Sequence, residues 1–271
     1  MRPLRLLSYL APSIPEGLFE LVADAFRARI GVPVRLAFET SVSGPAPESD
    51  PFAQDRADVA FVCSPSYPLL KRAGSPVTLL PAAPVFEDPR AGGRPVYFAD
   101  VVVREGHPAQ TFEKLSGGVW AFNDRYSRSG WQTMLARLVE IGHAGPPETF
   151  FSGLLHAGSH LRSLSLVASG SADAASIDSN TLWLSRRRDR DLDRRLRVIE
   201  TWGPMPIQPV LARAGLDAEL RGRLAATLLS LGAEPASRAT LAPYGLRGFA
   251  AVEEADYAGL LHQAPSLSRL I

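Results

Sequence analysis

Short apolar runs alternate with helix-like segments along most of this chain, and this alternation limits the folds that it can adopt. The runs LRLLSYL (4–10), VPVRLAF (32–38) and DVAFV (58–62) have the length and composition of buried strands. Amphipathic helices are predicted between the first two runs, over residues 15–30, and again after the third run. Strands separated by such helices are typical of parallel βαβ units, so the sequence predicts an α/β fold.

The alternation resumes after residue 96 with a second set of strands and helices. This set comprises predicted strands at 96–103, 117–122, 173–178 and 196–202, with helices after Ser129 and over 159–170. A Pro-rich stretch, 203–209, then predicts a connector that leads to a last long helix over 217–231. In the stretch 185–197 arginines alternate with aspartates, which favours a solvated helix end and loop over an anion or nucleic-acid patch.

The two sets of elements predict two lobes. The first lobe is discontinuous and contains residues 1–97 plus 206–271, whereas the second contains residues 98–205. The chain crosses between the lobes near 97–99 and again near 201–206. Because clefts between lobes commonly hold small ligands, a binding site is expected there.

Composition excludes several classes of protein. With 46% hydrophobic residues the chain can build a large core, and a net charge of +1 gives no broad electrostatic case for nucleic acid. The single cysteine, Cys63, excludes an internal disulfide and a Cys-rich metal site. His156 and His160 are spaced like zinc ligands, but the glycine between them argues against one helical face. We therefore expect no metal and no cofactor. The protein is also expected to be a monomer.

No segment of the sequence predicts membrane insertion or export. Apolar runs stay well short of the roughly 18 residues that a membrane span needs. The N-terminal apolar stretch is interrupted by Ser8, Tyr9 and Pro12, and it is predicted to be the first strand instead of a signal peptide.

The turn Ser127-Arg128-Ser129-Gly130 joins a buried strand to a helix and is the strongest candidate for a binding site. At a helix start, backbone N–H groups without helical partners carry a partial positive charge and point toward one spot. The hydroxyls of Ser127 and Ser129 add donors there, and Gly130 lets another backbone come close. Two interpretations stay open, a cradle for a phosphate-like anion and an ordinary serine N-cap.

Further candidate side chains border other predicted strands. His160 lies where another helix should start, and it either donates to an anion or is a capping or surface histidine. Asp178 ends a buried strand, where it either holds an amine or hydroxyl of a ligand or caps the next helix. Ser64 has the same two interpretations after DVAFV. Tyr9 and Tyr97 are either ligand contacts or packing residues near the lobe crossings.

Four blocks of the chain resemble the phosphate/phosphonate-binding proteins of ABC transporters, which have the type 2 periplasmic binding fold. The blocks are YFADVVVREGHP (97–108), WAFNDRYSRSG (120–130), FFSGLLHAGSHLRSLSLVASGSADAASID (150–178) and TWGPMPIQPVLARAGLDAELRGRL (201–224). The family usually has Ser-x-Ser-Gly in the second block, Gly-Ser-His in the third, and an acidic residue after the "Asp-Ala-Ala" strand. The resemblance implies two lobes, each with a mixed, mostly parallel sheet flanked by helices.

The resemblance also implies roles for individual residues. Ser127, Ser129 and the Gly130 amide would receive the oxygens of the anion, and His160 would add a donor. Tyr97 would line the cleft at the hinge, and Asp178 would face the distal group of the ligand. At Arg128 the family often has a small hydroxyl residue, and the arginine either adds charge to the site or faces solvent.

The function that the resemblance implies is capture of a phosphonate, a phosphate or a related oxyanion for an ABC permease, without chemistry. It implies a periplasmic location, whereas the absence of a predicted signal peptide leaves a cytoplasmic one open. Two alternatives remain, both on the same fold: a cytosolic enzyme, with His160 and Asp178 as acid and base, and a ligand sensor. The chain lacks a G-x-S-x-G elbow and a P-loop, which counts against the enzyme.

Overall fold

A computed structural model describes residues 2–233 and 235–260 of the 271-residue chain. The described residues divide into two compact units, one formed by residues 2–96 with 206–260 and the other by residues 97–205. Each unit has its own mixed sheet flanked by helices, so the predicted α/β class is confirmed. Among the described residues, no helix combines the length and the apolar character needed to span a membrane.

The first unit begins with alternating strands and helices. In chain order these are β1 (Leu4–Ser8), α1 (Glu16–Ile30), β2 (Val34–Phe38), β3 (Val59–Phe61), α2 (Ser66–Arg72), β4 (Val77–Leu79) and β5 (Ala83–Phe86). The α1 helix forms because its apolar residues recur on one face, and Phe19, Val22 and Phe26 are fully buried. It ends at Gly31, whose left-handed φ of 73° lets its N–H donate to the carbonyl of Arg27.

The second unit contains the middle of the chain. Its elements are β6 (Val96–Arg104), β7 (Val119–Phe122), α3 (Thr133–Glu140), β8 (Gly153–His156), α4 (His160–Ser169), β9 (Ala174–Asp178), α5 (Ser179–Arg188), α6 (Arg190–Arg195) and β10 (Leu196–Pro206). The chain then returns to the first unit with β11 (Val210–Arg213), α7 (Ala218–Ser230), α8 (Pro235–Leu241) and β12 (Leu246–Ala250).

Both five-stranded sheets are mixed. In the first unit the strand order is β2-β1-β3-β11-β4, where β1 pairs in parallel with β2 and β3 while β11 is antiparallel to β3 and β4. In the second unit the order is β10-β6-β9-β7-β8, where β7 is parallel to β8 and β9 while β6 is antiparallel to β9. A separate antiparallel pair, β5 and β12, completes the first unit.

Aromatic side chains fill one core of the second unit. Phe112 lies at its centre, with its ring stacked on that of Phe150 and edge-on to those of Trp120 and Phe151. Such ring pairs contribute about 0.5–1.5 kcal/mol beyond the burial of their area. This core supports the sheet from one face, so the strand ends described below are held by rigid packing.

The structure differs from the sequence-based expectations in two ways. Strands β4, β5, β8 and β12 were not predicted, because each is short or is interrupted by proline or glycine. The Pro-rich stretch 203–209 was expected to be a connector, but β10 continues through Pro206. The strand tolerates its prolines because it lies at the edge of the sheet, where a missing N–H costs no ladder bond.

Candidate functional site

One edge of the sheet in the second unit collects most of the predicted site residues. Strands β7 and β8 are parallel with Phe122 opposite His156, so the loops after them begin side by side. Strand β9 runs the same way, and Asp178 at its end lies opposite Ala99 of the antiparallel β6, two residues after Tyr97. We call this the carboxyl edge. It carries Tyr97, Ser127, Arg128, Ser129, Gly130, His160 and Asp178.

The serine turn after β7 is capped by its own side chain. Ser127 is buried, and its Oγ accepts a hydrogen bond from the Gly130 N–H at 3.1 Å. The Ser127 carbonyl accepts from the N–H groups of Trp131 and Gln132, at 3.3 and 3.1 Å, which makes one wide π-helical turn over Arg128–Gln132 before α3. Ser127 is therefore an N-cap here, and a ligand that binds the Gly130 amide must displace this hydroxyl or share the donor.

Ser129 and His160 form a buried hydroxyl–imidazole pair. The distance from Ser129 Oγ to His160 Nε2 is 3.1 Å, and the two residues are only 2% and 6% exposed. Burial lowers the pKa of His160 to about 4, because the charged ring would lose its hydration, so the imidazole is neutral at neutral pH. Its Nδ1 is also buried and has no hydrogen-bond partner among the described residues.

The contact between the two loops requires glycine at position 130. A Cβ placed on Gly130 would lie 1.8 Å from Asn123 Oδ1 and 3.2 Å from His160 Cε1, so any larger residue would push these groups apart. The Asn123 carbonyl also accepts from the Gly158 N–H at 2.9 Å, which joins the serine turn to the loop that carries His160. Sequence reasoning missed Asn123, although its position directly after the buried strand β7 was a usable signal.

Asp178 is the N-cap of α5. Its Oδ1 accepts from the N–H groups of Asn180 and Thr181, at 2.8 and 3.4 Å. The neighbouring Ser179 Oγ accepts from the Phe98 N–H at 3.1 Å and thereby links α5 to β6. The capping interpretation of Asp178 is thus realised, and its role toward a ligand stays a prediction.

The remaining residues of the carboxyl edge differ in burial. Tyr97 is fully buried at the start of β6, and Arg128 is half-buried in the π-helical turn. The side-chain amides of Gln132 and Asn180 are buried, and neither has a hydrogen-bond partner among the described residues. Sequence reasoning did not single out these two amides, because neither belongs to a recognisable motif.

Tyr9 and Ser64 lie in the first unit. Tyr9 directly follows β1, and Ser64 comes shortly after β3. The two strands are parallel neighbours, and the Tyr9 N–H donates to the Phe61 carbonyl at 3.0 Å. Burial raises the pKa of Tyr9 to about 12. Ser64 is fully buried just before α2, and no described residue accepts from or donates to its Oγ.

Metal binding has no support among the described residues. Within residues 2–233 and 235–260, no three His, Cys, Asp or Glu side chains are placed to hold a metal ion. The exposed His156 ring lies against Phe122, whereas the buried His160 contacts Ser129, so the two histidines do not share a face.

Solved structures with the same fold include transport proteins. A binding-protein component of an ABC phosphonate transporter from Pseudomonas aeruginosa matches with a TM-score of 0.80 and 17% identity, over 100% of this chain and 88% of that chain. PhnD1 from Prochlorococcus marinus, in complex with methylphosphonate, matches with a TM-score of 0.77 and 13% identity, over 99% and 98%. A Xanthomonas citri protein bound to ATP matches with a TM-score of 0.71 and 20% identity, over 100% and 98%.

These likenesses confirm the predicted type 2 periplasmic binding fold. The sequence itself matches a family profile described as "ABC transporter, phosphonate, periplasmic substrate-binding protein" over residues 6–257. That range covers nearly the whole chain and includes every candidate site residue named above. The chain therefore belongs to the family of periplasmic substrate-binding proteins of phosphonate ABC transporters.

Proposed function

We propose that this protein captures a phosphonate or a closely related phosphorus oxyanion at the carboxyl edge of its second unit and delivers it to an ABC permease. One observation carries the proposal: the Ser129 hydroxyl, the neutral His160 ring and the turn at Gly130 lie against one another and are buried. The proposed activity is binding and release without a chemical step, in the periplasm. The methylphosphonate and the ATP of the two neighbours both offer phosphorus oxyanions, which agrees with this class of ligand.

The groups at this edge suit an oxyanion because they are donors held in place before the ligand arrives. Hydroxyls of Ser127 and Ser129 and the Gly130 amide would each donate to one oxygen of the ligand. A hydrogen bond to a charged group contributes about 1.5–3 kcal/mol, and less water competes for it at a buried site. In this assignment the ligand replaces the Ser127 hydroxyl as the partner of the Gly130 amide.

The other predicted residues receive secondary roles in the proposal. Arg128, half-buried in the same turn, would add positive charge near the oxyanion. Asp178 and Tyr97 would contact the part of the ligand that lies away from the oxyanion. Tyr9 and Ser64 of the first unit stay predicted ligand contacts.

A thermal-shift screen tests the proposed function. We expect methylphosphonate and inorganic phosphate to raise the melting temperature, with a stabilisation that grows with the logarithm of ligand concentration over Kd. Acetate and chloride serve as matched controls, because they carry charge without a tetrahedral group of oxygens. Stabilisation by acetate equal to that by methylphosphonate, or no stabilisation by any phosphorus oxyanion, would refute the assignment.

His160→Ala should weaken methylphosphonate binding by about 1–3 kcal/mol, because the ligand loses one hydrogen-bonding partner in a buried site. Isothermal titration calorimetry at neutral pH measures the change in Kd. The matched control is His156→Ala, which removes an exposed histidine from the end of β8 and should leave Kd unchanged. Equal affinity of the His160→Ala variant and the native protein would remove His160 from the site.

A further inference from the structure

We propose that the Ser129–His160 pair selects the protonation state of the ligand, so that the species held is a monoprotonated oxyanion with one P–OH group. This inference rests on the proposed function, because it concerns the same site. It excludes, as preferred ligands, oxyanions whose oxygens are all deprotonated, such as sulfonates and phosphonate dianions.

A neutral imidazole can form two hydrogen bonds through its nitrogens, one as donor and one as acceptor. Such a ring has one N–H donor and one bare nitrogen acceptor, and the hydroxyl of Ser129 has one proton to donate. If His160 Nε2 carries the proton and donates to Ser129 Oγ, the pair offers a ligand the Ser129 O–H as donor and Nδ1 as acceptor. If Ser129 donates to Nε2, the pair offers the Nδ1–H as donor and Oγ as acceptor.

Both tautomers therefore present one donor and one acceptor. A fully deprotonated oxyanion has only acceptors, so it would satisfy the donor and leave the acceptor of the pair facing a lone pair. A monoprotonated phosphonate has adjacent P–O⁻ and P–OH groups, and it matches donor to acceptor and acceptor to donor. The mismatch is costly because a buried polar atom without a partner loses its hydration and gains nothing in return.

The His160 ring lies against the serine turn, so a ligand bound at that turn would meet the hydrogen-bonding groups of the pair. His160 Nε2 contacts Ser129, and Cε1 is the ring atom nearest to a Cβ placed on Gly130, at 3.2 Å. The Nε2–Cε1 edge of the ring thus faces the serine turn, and Nδ1 is the other ring neighbour of Cε1. Its Nδ1 is buried, and none of the described residues hydrogen-bonds to it, so a ligand at the turn is the partner that the site lacks.

The charges around the pair act in the same direction. Charged or titratable side chains on the elements around His160 are those of Asp124, Arg125, Tyr126, Arg128, His156, Arg162 and Asp178. Of these, the carboxylates of Asp124 and Asp178 are buried, Tyr126 and Arg128 are half-buried, and the others are exposed. The carboxyl edge thus holds two buried negative charges against one half-buried arginine, and this balance favours a monoanion over a dianion.

The proton balance fixes the expected pH dependence. Below the second pKa of the ligand, the monoanion is already present in solution, and its binding exchanges no proton with solvent. Above that pKa, binding takes up one proton from solvent, and the observed association constant falls about tenfold for each pH unit. Methanesulfonate carries no proton anywhere in this range, so it should bind weakly at every pH.

The test is calorimetric titration of the native protein with methylphosphonate and with methanesulfonate, from about pH 6 to about pH 9, a range in which neither Asp nor Arg side chains normally titrate. We expect the methylphosphonate affinity to fall above the second pKa of the ligand and the ³¹P shift of the bound ligand to stay that of the monoanion. A flat or rising affinity, a bound dianion shift, or equally tight binding of methanesulfonate would overturn the inference while leaving the oxyanion site intact. No binding of either compound at any pH would instead overturn the proposed function, and this inference with it.

Discussion

Ser129→Asp should abolish methylphosphonate binding and leave the protein folded. The substitution places a fixed negative charge in the buried turn where the oxygens of the ligand are proposed to bind, at a position whose native hydroxyl oxygen lies 3.1 Å from His160 Nε2. The new carboxylate can pair with His160 and raise its pKa, and this pairing limits the cost of burying the charge. Calorimetry with methylphosphonate measures the loss of affinity, and thermal unfolding followed by circular dichroism reports on the fold.

The control for that substitution is Ser152→Asp, which adds the same charge to an exposed serine of the second unit. We expect this variant to bind like the native protein, because water screens a charge at the surface. Ser129→Asp protein that melts cooperatively and still binds methylphosphonate with native affinity would show that the serine turn is not the binding site.

Asp58→Ala should lower the free energy of unfolding by about 3 kcal/mol, the low end of the range for breaking a buried ion pair. The Asp58 side chain is 3% exposed, and its Oδ1 accepts from Arg2, Arg5 and Arg213 at 2.9, 3.0 and 2.7 Å. Removing this carboxylate leaves three guanidinium groups close together with only the exposed carboxylate of Asp55 as a shared counter-ion. Urea-induced unfolding measures the change, and Asp24→Ala, which breaks an exposed pair with Arg27, should cost less than about 1 kcal/mol.

The same cluster should make the protein sensitive to acid. Burial alone would raise the pKa of Asp58, but hydrogen bonds from Arg5 and the nearby arginine charges outweigh it and lower the pKa. A carboxylate with a lowered pKa stabilises the folded state above its ordinary pKa near 4, and this stabilisation is lost as the pH falls further. Unfolding of native and Asp58→Ala protein should therefore converge at low pH. A constant difference between the two down to about pH 2 would contradict this account.

The fold could be predicted to the extent that it follows from local pattern. Helix α1 and strands β1, β6 and β9 have continuous apolar or periodic sequences, and they were located to within a few residues. Strand β8, with the sequence GLLH, and strand β12, with Gly248 inside it, carry too little apolar pattern, and they form because a neighbouring strand supplies their hydrogen bonds. Pairing between distant strands is the information that local pattern lacks.

The site could be predicted in outline for a similar reason. Residues at the carboxyl ends of parallel strands meet at one edge of a sheet, so Ser129 and Asp178 were found from their positions after strands. The partners of each residue were not predictable. That the Ser127 hydroxyl occupies the Gly130 amide, and that Asn123 lies against Gly130, are consequences of side-chain geometry that no spacing rule contains.

Trp131 gives the protein a built-in optical reporter. The indole follows Gly130 directly and is 1% exposed. It contacts the ring of Phe122, and the guanidinium carbon of Arg125 lies 5.2 Å from the indole centroid. Indole emission depends on nearby charges and polarity, so an oxyanion seated at the serine turn should change the emission intensity or wavelength. Trp131→Phe should remove that change while keeping the packing of a ring. The native chain would then serve as a label-free fluorescent biosensor for phosphorus oxyanions in water.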